Sequence, residues 1–154
     1  MPRSSIRFFS EDIPYTLKQK SIVRSWIENS IKSENASPGE INFVFCNDQY
    51  LLEINQKYLN HTTYTDIVTF DNSKIAGVIS GDIFISIERV RENSVKFGVI
   101  PENELQRVMI HGVLHLLGYS DKTKSGKAIM TDKENFYLSK KILSDKTVIA
   151  SEHL

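Results

Sequence analysis

The 154-residue sequence contains a single cysteine, Cys46, so no disulfide can form within one chain. Because Cys46 directly follows the largely apolar segment 41–45, we predict a buried, inert thiol and a reducing compartment. The sequence has no run of about 18 apolar residues, and its first residues lack the apolar stretch of roughly 7–15 residues of a secretory signal. These absences exclude a disulfide-stapled scaffold and a membrane-spanning helix, and they predict a cytoplasmic protein.

Neither sign of charge is in excess, because 19 Lys and Arg residues balance 19 Asp and Glu residues. The isoelectric point near 6.9 is far below that of a typical standalone nucleic-acid binder. Any contact with a nucleic acid must therefore be local. Two basic clusters either provide such contacts or only keep the surface soluble: Lys18, Lys20 and Arg24, and Lys122, Lys124 and Lys127.

Chain length and hydrophobic patterning predict one domain over residues 1–154, with no repeat or linker. Strand and helix patterns alternate, but two of the strands are separated only by a hairpin loop at 71–80. This order predicts an α+β fold in which helices pack on a small mixed β-sheet. The predicted strands are 6–9, 41–45, 67–70 and 83–85, and the predicted helices are 16–33, 48–59, 87–97, one beginning at Pro101, and about 125–143.

Local signals predict where these elements begin and end. Thr16 and Asp48 are candidate N-caps of the first two helices. Pro38-Gly39 predicts a break in the chain, and Gly98 predicts a helix end. Pro101 and the acids that follow it are typical of the first turn of a helix.

The most informative segment is HGVLHLLGYSD, which begins at His111. Residues four apart lie on one face of a helix, so His111 and His115 can direct their imidazoles at the same point. Gly118 can adopt the left-handed conformation that ends a helix, which would return Asp121 towards that point. Two imidazoles and one carboxylate suit one zinc ion and leave a fourth position for water, as in catalytic sites. We therefore predict a metal site of His111, His115 and Asp121.

A histidine pair at this spacing also occurs as ordinary core or surface residues. The chain has only four histidines, however, at positions 61, 111, 115 and 153. Two of them share a helix face within a strongly apolar stretch, where an unused imidazole is costly to bury. The pattern therefore favours metal binding.

One residue of the segment bears on the reaction. In zinc proteases of the His-Glu-x-x-His type, the glutamate beside the first histidine is the general base. Here that position is Gly112, so peptide hydrolysis is disfavoured, although the layout is similar to the metzincin geometry. A metal ion that activates water and neutralises charge on a phosphoryl oxygen needs no such glutamate.

The same segment resembles the YbeY family of bacterial rRNA maturation factors. Residues 111–119 meet every fixed position of the family signature His-Gly-x-Leu-His-Leu-x-Gly-Tyr. Upstream, Leu59-Asn60, residues 65–70 (TDIVTF) and residues 81–86 (GDIFIS) are similar to three further segments of the family. The resemblance covers about residues 40–140 and follows the family's order.

This resemblance implies an α+β fold with a metzincin-like metal helix and one zinc ion as cofactor. It implies a single-strand endoribonuclease that acts in 3′-end maturation of small-subunit (16S) rRNA and in ribosome quality control. The implied partners are ribosomal RNA and the small ribosomal subunit or its proteins.

Two positions depart from the family pattern. The family's third metal ligand is a histidine two residues after the tyrosine, where this chain has Asp121. The family's arginine between the Leu-Asn and Thr-Asp segments is absent from residues 61–64. Arg107, one helical turn before His111, is our candidate for the missing contact to a phosphate or transition state, with an ordinary surface salt bridge as the alternative.

The sequence leaves three function classes open. The first is the metal-dependent endoribonuclease. The second is a ribosome-assembly factor whose metal is structural, and the third is a metallohydrolase of a non-RNA substrate, which Gly112 disfavours.

Overall fold

The computed structural model describes residues 5–153, with side chains described up to residue 141. The described chain forms four strands and five helices. In chain order they are β1 Ser5–Ser10, α1 Lys20–Ser33, β2 Ser37–Cys46, α2 Asp48–Leu59, β3 Ile67–Asp71, β4 Val78–Ser86, α3 Ile87–Phe97, α4 Pro101–Leu116 and α5 Lys124–His153.

The strands form one mixed sheet in the order β1-β2-β4-β3. Strands β1, β2 and β4 are parallel, and β3 pairs antiparallel with β4 at the edge. The connection between β3 and β4 lies within the predicted hairpin loop at 71–80. The α+β fold with a small mixed sheet is therefore confirmed.

The main core lies on one face of the sheet. Alternate residues of β2 and β4, among them Phe43 and Ile83, are fully buried there against α1 and α4. On the opposite face, α2 packs Leu51 against Val68 of β3. Cys46 is buried on this second face, and burial raises the pKa of its thiol to about 12, so the thiol stays protonated.

The first helix begins later than predicted. Residues 14–17 belong to neither a helix nor a strand, and Leu17 is buried in the core at 7% exposure. Gln19 then adopts a left-handed backbone with φ of 55°, and α1 starts at Lys20. Thr16 is therefore not the N-cap, because that position is taken by Gln19.

The N-cap of α2 is also one residue away from the predicted one. The Asn47 side chain accepts a hydrogen bond from the Tyr50 backbone N–H at 2.8 Å, so Asn47 caps the helix. Asp48 is the first helical residue, and its carboxylate binds Ser86 and Arg89 instead.

The predicted break at Pro38-Gly39 is wrong, because both residues lie inside β2. The register with β4 shifts between Pro38 and Ile41, which marks a bulge. β1 pairs with β2 only from Glu40 onwards, so the other edge of β2 is free at Pro38, and a proline is tolerated there.

The last helix is longer than predicted, since α5 runs to His153 rather than ending near residue 143. No glycine or proline follows residue 126, so no residue interrupts the helical pattern. Helices α3 and α4 match their predictions, with Gly98 as the left-handed C-cap of α3 and Pro101 opening α4. None of the described helices is both long and apolar enough to span a membrane.

Candidate metal centre

Helix α4 carries the motif and is held rigidly, because nine of its sixteen residues are buried. The chain turns directly after it. Gly118 has φ of +104°, and its N–H donates to the His115 carbonyl, while the Tyr119 N–H donates to the Leu114 carbonyl. This turn returns the chain towards the helix and brings Asp121 back to the histidines.

The structure brings the three predicted metal ligands together. The Nε2 atoms of His111 and His115 are 2.9 Å apart. Oδ2 of Asp121 lies 3.4 Å from Nε2 of His111 and 3.8 Å from Nε2 of His115. All three side chains are partly exposed, so an ion can reach them from solvent.

These distances fit a single zinc ion. Three ligands at roughly 2.0–2.2 Å around a tetrahedral ion are about 3.4 Å from one another, which lies within the observed range. The donor set of two imidazole nitrogens and one carboxylate oxygen is also that of known catalytic zinc sites. The geometry leaves the side facing solvent open for a fourth ligand.

Glu134 of α5 lies directly behind the first histidine. Its Oε2 is 2.7 Å from Nδ1 of His111, so the carboxylate accepts a hydrogen bond from that ring nitrogen. This places the Nδ1 proton towards Glu134 and leaves Nε2 free to bind a metal. Burial lowers the pKa of His111. This effect is outweighed by the hydrogen bond to Glu134 and by the negative charges of Glu134, Asp121 and Asp66, so the pKa of His111 is raised overall.

The second histidine has the opposite electrostatics. Burial and the neighbouring charge of His111 lower the pKa of His115. This imidazole therefore loses its proton at a lower pH, and the neutral form is the one that binds a metal. Two imidazoles 2.9 Å apart cannot both be protonated at low cost. The pair is therefore suited to share a cation.

A cavity of about 280 Å³ opens beside the triad. Burial raises the pKa of Asp66, and burial together with the charge of Asp66 raises the pKa of Glu104. The negative charge of these clustered carboxylates favours the binding of a cation in the cavity. The charged side chains that line the cavity are Asp66, Glu104, Arg107, His111, Asp121 and Glu134.

Arg107 lines this cavity as predicted, but its guanidinium is already engaged. Nη1 donates to Oε1 of Glu134 at 2.8 Å, and Nη2 donates to Oδ1 of Asn135 at 2.7 Å. Glu134 therefore joins Arg107 to His111. The Arg107 side chain remains 38% exposed, so solvent still reaches part of it.

A second arginine approaches the loop that lacks the family's arginine. The Arg89 guanidinium of α3 lies over the Tyr64 ring at 5.5 Å and pairs with Asp48 at 3.0 Å. Its charge also lowers the pKa of Asp66, although burial dominates and the net direction is upward. Tertiary structure thus supplies a cation near residues 61–64 that the local sequence does not contain.

Gly112 faces the sheet rather than the cavity. A Cβ at this position would lie 2.9 Å from side-chain atoms of both Ile67 and Ile83. Any side chain there would require Ile67 and Ile83 to shift, and a glutamate at this position would point into the core. The close packing of α4 on the sheet therefore disfavours the general-base glutamate of a zinc protease at this position.

The two basic clusters differ in their surroundings. Lys122, Lys124 and Lys127 are exposed and follow Asp121 directly. In the other cluster, Arg24 donates to the Ile6 carbonyl and lies over the Phe8 ring, so it belongs to the packing of α1 on β1.

Three residues of the site were missed by the sequence reasoning. Asp66 lies inside a quoted family segment, and Glu104 lies on the same face of α4 as His111, so both had a local signal. Glu134 had none, because it is 23 residues after His111 on another helix. Only the packing of α5 against α4 brings it to the imidazole.

The sequence is similar to known proteins over most of its length. The sequence model of the family described as Endoribonuclease YbeY matches residues 5–141. The chain is 48% identical over 139 residues to Endoribonuclease YbeY of Cytophaga hutchinsonii, covering 90% of this chain and 97% of the relative. It is 52% identical over 127 residues to Endoribonuclease YbeY of Flavobacterium psychrophilum, covering 82% of this chain and 90% of the relative.

The fold also matches a solved structure. The solution structure of TM1509 from Thermotoga maritima superposes with a TM-score of 0.62 at 26% identity, covering 96% of this chain and 95% of the other. The match to the family model extends over nearly the whole described chain. This chain therefore belongs to the YbeY family.

Proposed function

We propose that this protein is a zinc-dependent endoribonuclease that cleaves single-stranded RNA in the cytoplasm and acts in small-subunit (16S) rRNA 3′-end maturation and ribosome quality control. The observation that carries the proposal is the convergence of the His111, His115 and Asp121 ligand atoms within 4.8 Å of one another. Membership of a family whose relatives are named endoribonucleases supports RNA as the substrate. The expected partners are ribosomal RNA and the small ribosomal subunit.

His111, His115 and Asp121 would hold the ion. When bound there, zinc supplies a Lewis acid that lowers the pKa of water towards ~7 and offsets charge on a phosphoryl oxygen. Glu134 keeps the Nδ1 proton of His111 away from the ligand atom, so Nε2 remains a lone-pair donor.

Arg107 is placed to contact the substrate phosphate in this proposal. Its guanidinium is fixed by Glu134 and Asn135, and Arg107 lines the same cavity as His111 and Asp121. A guanidinium that is already oriented loses less freedom when it binds an anion.

The test combines metal content with RNA cleavage. Zinc is measured by elemental analysis in the wild type, His115→Ala and Asp121→Ala, and cleavage of a single-stranded RNA is measured with and without chelator. His61→Ala is the control, because His61 is exposed and outside the site. We expect one zinc per wild-type and His61→Ala chain, and loss of zinc and cleavage in the other two variants with native circular dichroism.

Zinc binding without cleavage would contradict the nuclease proposal and favour a ribosome-assembly factor with a structural metal. The specific feature behind that second candidate is the lack of an arginine in residues 61–64. Under it, His111→Ala would unfold the domain instead of leaving a folded, inactive protein. A wild type without bound metal would contradict both.

Arg107→Ala makes a sharper prediction within the nuclease proposal. We expect zinc content to persist while RNA turnover falls by roughly 10- to 100-fold, because the phosphate loses a charged contact of about 1.5–3 kcal/mol. Arg107→Lys should recover little of this, since an ammonium cannot bind Glu134, Asn135 and a phosphate in one plane. Unchanged turnover in Arg107→Ala would show that Arg107 has no such role.

A further inference from the structure

A second, larger cavity lies next to the metal centre, between the end of α3, α4 and α5. Its volume is about 430 Å³, within the range of roughly 300–1,000 Å³ that small-molecule sites occupy. Phe97, Val99 and Leu138 form its apolar walls, and the side-chain amides of Asn103, Gln106 and Asn135 form its polar edge.

We propose that this cavity binds one nucleobase of a single-stranded RNA, beside the phosphodiester held at the metal centre. The inference rests on the proposed function for the identity of the substrate. The proposed subsite is formed by residues other than His111, His115 and Asp121.

The two cavities form one continuous surface. Glu104 and Arg107 line both of them. Asn103, Arg107, His111 and His115 are four residues apart and lie on one face of α4. Each step of four residues is about 6 Å along the helix axis, so Asn103 is about 12 Å from His111 in this direction. A strand that contacts the triad and then Arg107 reaches the second cavity next.

The walls offer a surface on which a base can stack. Phe97 is 59% exposed and Val99 is 43% exposed, so large apolar side chains face solvent at this cavity. Single-stranded RNA is commonly bound by stacking its unpaired bases on such aromatic rings. Stacking would cover apolar surface that otherwise stays in water.

The polar edge offers unused hydrogen-bonding groups. Neither the Asn103 nor the Gln106 side-chain amide is hydrogen-bonded to another residue in the described part of the chain. Oδ1 of Asn135 accepts from Arg107, which leaves the NH₂ group of Asn135 free to donate. Amides carry both donors and acceptors, which is the pattern that base edges match.

Electrostatics favour a neutral base at this position over a phosphate. Among the described residues that line this cavity, Arg107 is the one cation, and Glu104 is buried beside it. The Lys96 ammonium lies over the Phe97 ring at 5.9 Å. The side-chain amides of Asn103, Gln106 and Asn135 are neutral. A phosphate is therefore better placed at Arg107 and the triad, with the uncharged base in the amide-lined cavity.

The test is binding of nucleotides to the metal-loaded protein, followed by NMR. The probes are the four ribonucleoside 5′-monophosphates, and the control ligand is ribose 5-phosphate, which lacks a base. We expect the side-chain amide signals of Asn103, Gln106 and Asn135 to shift with at least one nucleotide and not with ribose 5-phosphate. Phe97→Ala should weaken this binding at least tenfold.

Phe136→Ala is the matched control, because Phe136 is a similarly exposed aromatic that does not line the cavity. It should leave nucleotide binding unchanged. The proposed subsite would be contradicted if the amide signals did not shift with any of the four nucleotides, or if they shifted equally with ribose 5-phosphate. A response to an apolar peptide but to no nucleotide would overturn it as well.

The outcomes separate this inference from the proposed function. RNA cleavage by a protein whose cavity binds no nucleotide would leave the nuclease standing and remove the subsite. Nucleotide binding at the cavity without RNA cleavage would retain the subsite and contradict the nuclease.

Discussion

At the scale of the residue, Glu134 orients the first histidine of the candidate metal site. A neutral imidazole carries its proton on either ring nitrogen, and only the tautomer protonated on Nδ1 presents Nε2 to the ion. The 2.7 Å contact between Glu134 and Nδ1 selects that tautomer. Arg107 in turn fixes the Glu134 carboxylate through its other oxygen.

We expect Glu134→Gln to lower zinc affinity by roughly 10- to 100-fold, which is typical when the carboxylate behind a ligating histidine is lost. The amide keeps the size of the side chain but loses its charge, so the fold should persist. Competition with a chromophoric chelator measures the affinity. Asp132→Asn, an exposed acid on the same helix, is the control and should bind zinc like the wild type. Equal affinity in both variants would rule out a role for Glu134 in zinc binding.

At the scale of the element, helix α4 joins the site to the core. Its inner face packs on the sheet with Met109, Val113 and Leu114 fully buried. Gly112 allows close approach, because a Cβ there would overlap Ile67 and Ile83. The outer face carries the histidines to solvent, so one rigid helix holds both the core and the ligands.

Introducing the protease-type glutamate by Gly112→Glu should therefore destroy the fold and create no peptidase. The substitution forces a carboxylate and two methylene groups into a buried contact, a change expected to cost more than about 4 kcal/mol. Urea unfolding followed by circular dichroism measures the loss. Ala128→Glu, at an exposed position of α5, is the control. Its unfolding midpoint should differ from that of the wild type by no more than a few tenths of 1 M urea. A stable Gly112→Glu protein would contradict the packing described for α4.

At the scale of the whole molecule, a partly buried carboxylate at the C-cap of α1, Glu34, connects distant parts of the chain. Glu34 accepts hydrogen bonds from Tyr119, in the turn after α4, and from Tyr137 and Lys133 of α5. Trp26 of α1 adds a bond of 2.7 Å to the Tyr137 carbonyl. The turn that positions Asp121 is thus held from α1 and α5 as well as from α4.

This network predicts a dependence of stability on pH. Burial raises the pKa of Glu34, but the hydrogen bonds from Tyr119, Tyr137 and Lys133 outweigh burial, so the pKa is lowered overall. A carboxylate whose folded pKa is depressed stabilises the fold above its unfolded pKa of about 4.3. That contribution is lost as the pH falls through the lower, folded pKa.

We expect Glu34→Gln to be less stable than the wild type at pH 7 by on the order of 1–2 kcal/mol, and to differ less from it as the pH falls below about 4. Urea unfolding of both proteins at several pH values gives the two curves. Glu28→Gln, on helix α1, is the control. Parallel curves for Glu34→Gln and the wild type would show that this carboxylate does not contribute in the way described.

The sequence by itself determined much of this protein. Helix periodicity at His111 and His115, a turn glycine and Asp121 predict the candidate metal triad, because these residues are close along the chain. The strand and helix patterns specify the α+β class, and the signature of residues 111–119 specifies the family. A single domain over residues 1–154 stays a prediction.

Other features were decided only by the tertiary structure, because they depend on contacts between residues distant in sequence. The left-handed backbone at Gln19 comes directly before α1, and pairing with β4 places Pro38-Gly39 in a strand. The packing of α5 on α4 brings Glu134 to His111 across 23 residues and turns Arg107 towards it. Local spacing can place ligands on one helix face, but only the packing of helices and sheet can place the carboxylate that orients them.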